Sequence, residues 1–408
     1  MKRKTYIGTL LILLLALGGC GFFQDGEAAH EYDAGKVNGE FINGNNEFAW
    51  DIMKALNEED EEENIFISPI SISTALSMTY QGAREETKEE MAEVLGYGGM
   101  EDEVLRESYE EFLTYLAALD PDIELNIGNS IWYREGEAIE EDFLTINKGV
   151  FDASVEEIDF SDDRAADIIN DWIEGATEGK IERMLEGPIP GNVIMYLINA
   201  IYFNGEWAVP FEEEQSFERE FTSITGEIQN TMMMKRNGEV EYGEGENYKS
   251  VRMPYGENEN TAMYVILPTE ELSINEFLRR IDNTKWQEIK NSISPAQDVE
   301  LQIPRFEMEY GIKSLKDALI KLGMSTPFEM NANFDGIRSG IFIEEVLHKA
   351  VIEVNEQGSE AAAVTIVEME ESAAMDPLNF IADRPFIFII ANDEADSILF
   401  MGKAAGWQ

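Results

Sequence analysis

Catalytic and metal-binding side chains are scarce in this chain. Its 408 residues include two histidines, His30 and His348, and one cysteine, Cys20. No second histidine or cysteine accompanies His348 to offer a metal-binding shell. No serine lies in a G-x-S-x-G or S-x-x-K motif, and no glycine-rich phosphate loop is present. The sequence therefore implies no metal centre and no cofactor, and it gives little support to an enzyme.

Two acidic patterns resemble sites but are not specific. Paired carboxylates are the machinery of glycosidases, yet among 82 acidic residues such pairs arise by chance. The stretch NANFDG, residues 331–336, imitates the start of a calcium-binding loop. Its first position is Asn and its twelfth is Phe342 rather than Glu, so we interpret it as a turn.

His348 lies in the apolar segment VLHKAVIEV. Strand alternation would place four apolar residues on the same face as this histidine: Val346, Ala350, Ile352 and Val354. A lone histidine on such a face is more often a satisfied core residue than a ligand. His30 lies near the N-terminus, outside any such pattern.

The net charge is extreme, since 30 basic and 82 acidic residues leave −52. Such a surface repels phosphate backbones, so we do not expect nucleic acid as a partner. Acidic runs such as NEEDEEEN, residues 57–64, are typical of solvated surface. A dense acidic surface also suits a protein that stays soluble in concentrated salt, where screening acts over a few ångström. We treat adaptation to high salt as a hypothesis.

The N-terminus reads as a targeting segment. A basic start, MKRK, precedes an apolar run that is short for a membrane span of about 20 residues. The sequence LGGC, ending at Cys20, resembles the lipobox of prokaryotic lipoproteins, in which the cysteine is lipidated. The alternative is an ordinary secretion signal that happens to end in cysteine. We predict a lipoprotein-type signal peptide at residues 1–19, a lipid on Cys20 and a flexible tether at residues 20–38.

Beyond the tether, helical and strand patterns alternate. In SPISISTALSMTYQGA, Ser68 is a candidate N-cap and Pro69 the first helical residue. TKEEMAEVLGYG and SLKDALIKLGM predict helices that stop at Gly96 and Gly323. NVIMYLINAIYFNG, TAMYVILP and VELQIPRF predict strands, and FIFIIA with SILFMGK predicts a hairpin around NDEAD. The pattern indicates a large α+β domain with mostly antiparallel sheets.

One connection is unusually long and unusually strand-like. It separates VLHKAVIEV from RPFIFIIA by 29 residues, 355–383, whereas connections usually span about 4–6 residues. Its first half, EQGSEAAAVTIV, contains no proline to interrupt a strand. Alternate residues in it are all small or β-branched: Ser359, Ala361, Ala363, Thr365 and Val367. This half could enter a sheet without opening a large hole.

Several motifs, in order along the chain, resemble those of the serpins, the serine protease inhibitor family. They are NIFISPISISTALSMTYQGAREET, NDWIEGATEGKI, LINAIYFNGEWAVPF, HKAVIEVNEQGSEAAAVT, DRPFIFII and ILFMGKA. The resemblance covers nearly all of residues 39–408, which would form one serpin domain. It implies three β-sheets, about nine helices and an exposed reactive-centre loop at about residues 356–383.

The resemblance also implies a mechanism. A serine protease attacks the loop and forms an acyl-enzyme; the cleaved loop then inserts as a new strand into the sheet called sheet A and distorts the protease. The hinge would comprise Glu356, Gly358, Ser359, Glu360, Ala361, Ala362, Ala363 and Thr365, with Gly358 as a bend that tolerates most φ values. Since the inward residues are neither bulky nor charged, we predict an active inhibitor. The alternatives are a serpin-fold binding protein that proteases only cleave, and an inhibitor of cysteine proteases.

Further positions match serpin features around sheet A. The polar cluster called the shutter would comprise Ser68, Ser71, Asn199 and His348, with His348 as a satisfied buried donor. At the breach, where insertion starts, the matching residues are Trp207 and Arg305. Arg305 would pair with Glu356 and slow premature insertion.

Four residues are candidates for the scissile bond: Ser372, Ala373, Ala374 and Met375. Counting seventeen residues from Glu356, as in the family, gives Ser372, whereas counting back from RPF favours Ala374. None of the four is basic, which disfavours trypsin-like targets and favours elastase-like or subtilisin-like proteases.

The expected partners are a serine protease in covalent complex and a membrane reached through the lipid on Cys20. The protein would be a monomer outside the cell or in the cell envelope. The segment EDEVLRESYEEF, which matches the glycosaminoglycan-binding helix of the family, lacks a basic cluster. We therefore expect no glycosaminoglycan partner.

Adaptation to high salt predicts a rising stability curve. If repulsion among acidic side chains opposes folding, added salt screens it and raises the melting temperature between about 0.1 and about 3 M NaCl. Sucrose of equal osmolality, which does not screen charge, is the control for preferential exclusion. A melting temperature that stays flat or falls with NaCl removes the hypothesis.

Overall fold

The computed structural model describes residues 37–359 and 378–407, which contain nine α-helices and seventeen β-strands. The helices are α1 (Gly39–Glu59), α2 (Pro69–Tyr80), α3 (Glu85–Val94), α4 (Asp102–Leu116), α5 (Glu141–Val150), α6 (Ala165–Ala176), α7 (Ile274–Arg280), α8 (Asn283–Ser292) and α9 (Lys316–Leu322). The strands of the first half are β1 (Ile65–Ile67), β2 (Ile123–Arg134), β3 (Ser154–Ile158), β4 (Met195–Glu206), β5 (Phe217–Thr222), β6 (Ile228–Gly245), β7 (Tyr248–Tyr255) and β8 (Thr261–Pro268). Those of the second half are β9 (Ser294–Pro304), β10 (Phe306–Glu309), β11 (Lys313–Ser314), β12 (Leu347–His348), β13 (Val351–Val354), β14 (Gly358–Ser359), β15 (Leu378–Ile381), β16 (Phe386–Asn392) and β17 (Ser397–Ala404).

The helix ends follow the capping signals of the sequence. The Ser68 side chain accepts a hydrogen bond from the Ser71 N–H at 3.3 Å, and α2 starts at Pro69 as predicted. Helix α9 ends at Gly323, whose φ of 116° is left-handed, also as predicted. At the N-terminal end, Val37 is already buried against the domain, within the segment assigned to the tether.

A nine-stranded sheet runs in the order β1-β17-β16-β8-β7-β6-β9-β15, with β5 paired to β6. Strand β6, 18 residues long, pairs with β5 at residues 228–233, with β9 at residues 233–242 and with β7 at residues 241–245. The predicted hairpin of β16 and β17 is confirmed, and its two strands pair antiparallel.

The second large sheet is four-stranded, in the order β14-β4-β2-β3. Two predicted strands are each divided, and the divisions coincide with two short ladders beside this sheet. VELQIPRF breaks at Arg305 into β9 and β10, and VLHKAVIEV breaks into β12 and β13. Strand β10 pairs with β13 and β11 with β12.

Two apolar clusters hold these layers together. The larger one packs α1 and α2 against the strands of the nine-stranded sheet, with Phe48, Ile72 and Phe400 among its buried residues. The smaller one packs α6 onto β2 and β4 through Ile173 and Ile198. No helix in the described part of the chain is long and apolar enough to cross a membrane. The four-stranded sheet is thus supported on one face by α2 and on the other by α6.

Candidate functional site

The four-stranded sheet stops at an opening. Within residues 37–359 and 378–407, no hydrogen-bonded ladder joins β4 to β12 or β13. A cavity of about 700 Å³ lies there, between residues 195–199 of β4 and residues 346–348, with α2 on its inner side. The edge of β4 that faces the opening is a template for a further strand.

On the β12 side of the opening, His348 contacts the start of α2. The Ser68 N–H donates to His348 Nε2 at 3.1 Å, and Ser68 Oγ donates to the Leu399 carbonyl oxygen at 2.8 Å. His348 is therefore an acceptor at Nε2 in this contact, and because the neutral ring carries its one N–H at Nδ1, its predicted role as a donor stays a prediction. Acceptance requires an unprotonated Nε2. Burial favours that neutral form and lowers the pKa of His348 to about 4.

On the β4 side, the same helix contacts Asn199. Ser71 Oγ donates to Asn199 Oδ1, and Asn199 Nδ2 donates to Asn129 Oδ1 at 2.7 Å. Asn129 lies opposite Asn199 on β2, and its Nδ2 donates to the Phe151 carbonyl oxygen at 2.7 Å. The structure thus brings all four predicted shutter residues together. It adds Asn129, which no sequence pattern marks because its role depends on the register between β2 and β4.

At the upper end of β4, Trp207 connects three segments. Its ring stacks on Tyr255 with centroids 4.4 Å apart and planes 15° apart. Its Nε1–H donates to the Asn355 carbonyl oxygen at 2.9 Å, and its backbone N–H donates to the Gln357 carbonyl oxygen at 2.8 Å. Trp207 therefore holds the chain that leads into the predicted loop.

Glu356 is buried beside this contact, with 3% of its surface exposed. Its Oε1 accepts a hydrogen bond from Ser216 Oγ at 2.7 Å, and its Oε2 lies 3.4 Å from Arg305 Nη1. Arg305 projects from the break between β9 and β10 and is about half exposed at its side chain. The predicted Arg305–Glu356 pair is present, and Ser216 is a partner that sequence reasoning missed.

Two residues of the predicted hinge are already part of the sheet. In β14, Gly358 and Ser359 pair antiparallel with Glu206 and Gly205. The Ser359 side chain is buried, and its Oγ lies 2.7 Å from the Tyr255 hydroxyl. The first predicted inward residue therefore occupies the inner face of the sheet.

Gly358 is required for a different reason from the one predicted. Its φ lies outside the left-handed region, so it does not serve as a bend that only glycine can make. A Cβ at this position would lie 2.1 Å from the Gly205 carbonyl oxygen, which is closer than any real contact. The turn before it is made by Asn355, whose Oδ1 accepts from the backbone N–H groups of Gln357 and Gly358 at 3.0 and 3.2 Å.

The remaining predicted residues lie outside the described part of the chain. They are Cys20, the rest of the hinge (Glu360, Ala361, Ala362, Ala363 and Thr365) and the scissile-bond candidates (Ser372, Ala373, Ala374 and Met375). The described chain resumes at Leu378, and Lys249 Nζ then donates to the carbonyl and side-chain oxygens of Asn379 at 3.0 and 3.1 Å.

In the described part of the chain, these features define a four-stranded sheet whose β4 edge pairs with Gly358 and Ser359 at its upper end and with no other strand on that side. A family profile described as serpin (serine protease inhibitor) matches residues 43–406. An uncharacterized serpin-like protein of Methanosarcina mazei is 32% identical over 421 aligned residues, which cover 99% of this chain and 98% of that protein. The chain belongs to the serpin family.

Solved structures agree on the fold. The native state of tengpin, a thermophilic serpin, matches with a TM-score of 0.82 at 30% identity, covering 91% of this chain and 95% of tengpin. Thyroxine-binding globulin in complex with thyroxine matches with a TM-score of 0.80 at 26% identity, covering 90% of this chain and 98% of the globulin. The predicted serpin fold is confirmed. The family consists mostly of secreted protease inhibitors rather than enzymes, but it includes non-inhibitory members.

The low pKa of His348 predicts a loss of stability in mild acid. Between about pH 6.5 and about pH 4 the unfolded histidine takes up a proton that the folded one refuses, so unfolding becomes easier as pH falls through this window. The loss approaches about 3 kcal/mol at the acid end. Chemical denaturation from pH 7.5 to about pH 4.5 measures it, and His348→Gln, which cannot titrate, is the matched control. If the free energy of unfolding falls with pH to the same extent in the wild type and in His348→Gln, His348 is not the group responsible for the loss.

The pairing of β14 with β4 predicts a steric effect of one methyl group. Gly358→Ala places a Cβ against the Gly205 carbonyl oxygen and should displace the hinge, so the amides of residues 355–359 exchange faster with D₂O. Tyr255→Phe removes only the hydroxyl contact to Ser359, worth about 1 kcal/mol, and should have a smaller effect.

Gly175→Ala is the control for the hinge experiment, because Gly175 is exposed on α6 and nothing lies within 4 Å of its Cβ position. In Gly175→Ala, amide hydrogen exchange in α6 and at residues 355–359 should stay as slow as in the wild type or become slower. If Gly358→Ala protects the hinge amides as well as the wild type does, the hinge is not paired with β4 in solution.

Proposed function

We propose that this protein is a suicide-type inhibitor of serine endopeptidases that traps the acyl-enzyme by inserting its cleaved loop into the opening beside β4. One observation carries the proposal. Gly358 and Ser359 pair with the top of β4, at the end of an opening that no ladder closes within the described residues. From Ser359 onward, the loop would continue as a strand beside β4 once cleavage by the protease frees its other end.

The observed register says where the rest of the strand would lie. Because Ser359 faces Gly205 and the pairing is antiparallel, each later residue would face an earlier residue of β4. Ala361 would face Phe203, and Thr365 would face Asn199. Ser359 is buried, so the residues that alternate with it would point inward too.

This register gives Thr365 a particular partner. Asn199 belongs to the polar cluster with Ser71 and Asn129, and a buried polar group needs hydrogen-bond partners. The inward series is otherwise made of small and apolar residues, with Ser359 at its start beside the Tyr255 hydroxyl. Both hydroxyl residues of the inserting strand would thus meet hydroxyl or amide groups of the sheet.

The proposal also covers the target proteases, the lipid anchor and the roles of the shutter and the breach. Small residues around Ser372 and Ala374 suit the small specificity pockets of elastase-like or subtilisin-like proteases. A lipid on Cys20 would hold the inhibitor at the outer face of a membrane, with residues 20–38 as tether. The roles of the shutter and the breach are those of restraints on sheet opening.

A second candidate is a serpin-fold binding protein that proteases only cleave. Thyroxine-binding globulin, which shares the fold at a TM-score of 0.80, is known in complex with thyroxine. Fold alone therefore does not decide between trapping a protease and binding a ligand.

Trapping can be distinguished from cleavage on a denaturing gel. Incubation with elastase, subtilisin and, as the cysteine-protease arm, papain should give a covalent adduct with at least one serine protease. N-terminal sequencing of the released peptide should start at Ala373, Ala374, Met375 or Asp376, which identifies the bond. Two fragments without an adduct for every serine protease would sink the inhibitor proposal.

A pair of adjacent substitutions tests insertion itself. Ser359→Arg puts a charge on the buried face beside Tyr255 and should convert the inhibitor into a substrate, with at least a tenfold loss of adduct, because a buried unpaired charge costs several kcal/mol. Glu360→Arg introduces the same side chain on the opposite face and should keep trapping. If Ser359→Arg traps protease as well as Glu360→Arg does, insertion is not the mechanism.

A further inference from the structure

An arginine lies in a row of core side chains on β6. Arg236 is paired with Leu301 of β9, and two residues earlier Met234 is paired with Ile303. Residues that are paired directly, or separated by two positions along a strand, share one face of a sheet. Met234, Leu301 and Ile303 are each 0% exposed, so the face that carries Arg236 is otherwise core. A charge in such a row is costly unless it is paired.

The Arg236 guanidinium is only partly satisfied. Nη1 donates to the Val209 carbonyl oxygen, and the Phe211 ring lies against the guanidinium with its centroid 5.3 Å from Cζ. The buried Nε has no hydrogen-bond partner in the described part of the chain. Burial lowers the pKa of Arg236 to about 10, and no charged side chain of the described residues contributes to this shift. The cation therefore has no counter-charge among these residues, and one edge of it offers an unused donor.

We infer that Arg236 binds a small carboxylate with a short apolar group. A carboxylate accepts two parallel N–H groups of an arginine side by side, here those of Nε and Nη2. It would neutralise the charge, which neither an amine nor a neutral amide does. A phosphate would bring a second negative charge that finds no partner here. The apolar group would lie beside Val209, which is 46% exposed.

A ligand at Arg236 would also act on the predicted hinge. Val209, which accepts from Nη1, lies midway along residues 207–211. The first and last residues of this segment donate their backbone N–H groups to the carbonyl oxygens of Gln357 and Glu356, each at 2.8 Å. Arg236 therefore supports the segment to which the hinge is attached. A carboxylate that fixes Arg236 should make local opening of this segment rarer.

Binding is tested by heteronuclear NMR on the isotope-labelled protein. Titration with isobutyrate should shift the Nε–Hε signal of Arg236, which is assigned by its loss in Arg236→Lys. Isobutyramide has the same shape without the charge and should bind at least about tenfold more weakly, because charge-assisted bidentate hydrogen bonds are the strong ones. NaCl at the same ionic strength is the control for screening.

Two variants separate the side-on geometry from charge alone, with affinity measured from the backbone amide signals of residues 207–211. Arg236→Lys keeps the charge but loses the paired donors, and should weaken isobutyrate binding at least about tenfold. Arg280→Lys makes the same exchange at an exposed arginine of α7 and should bind like the wild type. If Arg236→Lys does not fold, the comparison of isobutyrate with isobutyramide on the wild type decides the matter.

Each contrary result overturns a stated part of the inference. Equal affinity for isobutyrate and isobutyramide overturns the anionic ligand class. A shift with NaCl as large as that with isobutyrate overturns the preference for a carboxylate. An Arg236 signal that does not move with isobutyrate overturns the site.

The effect on the hinge is tested by hydrogen exchange at the amides of Trp207 and Phe211. With isobutyrate at about ten times its Kd, exchange there should slow by about tenfold, whereas the amides of α9 should keep their rates. Unchanged exchange at both amides in the bound protein overturns the link to the hinge. Neither measurement uses a protease, so the carboxylate site is decided separately from the proposed inhibitor function.

Discussion

The unjoined edge of β4 is the constraint on which the rest of the structure depends. A strand edge presents backbone N–H and C=O groups that need partners, and a long exposed edge pairs with any strand that reaches it. Here the edge faces an opening, and at its upper end it is occupied by Gly358 and Ser359 alone among the described residues.

The two ends of the opening are held by different chemistry. At the top, Trp207 donates to the backbone carbonyl oxygens of Asn355 and Gln357, which flank Glu356. Tyr255 provides both a ring that stacks on Trp207 and a hydroxyl that contacts Ser359. In the middle, the first turn of α2 reaches both sides, through Ser71 to Asn199 and through Ser68 to His348. These two contacts share one helix, so α2 couples β4 to β12. Opening therefore requires that α2 releases or follows one of the strands.

Local signals in the sequence predict the helices and strands, whereas the pairing register of the strands decides which distant residues contact each other. Ser68 as a cap, Gly323 as a helix end and Thr261–Pro268 as a strand could all be predicted because each depends on neighbours in the chain. Tyr255 could not, because its importance arises from lying beneath both Trp207 and Ser359.

One residue was placed correctly but given the wrong physical role. Gly358 was expected to bend the chain, whereas the structure requires it because the Gly205 carbonyl oxygen leaves no room for a Cβ. The residue type follows from a neighbour that is distant in sequence, so periodicity and composition carry no information about it.

The acidic composition sets a further requirement on the hinge. In a chain with a net charge of −52, a restraint built on exposed ion pairs would weaken at high ionic strength, because salt screens charges over about 10 Å or less. The hinge has one ion pair, between the half-exposed Arg305 and the buried Glu356. The other described contacts, from Trp207, Ser216 and Tyr255, come from uncharged donors that salt does not screen in this way. Because most of its described contacts come from uncharged donors, the hinge keeps its position whether or not salt screens the acidic surface.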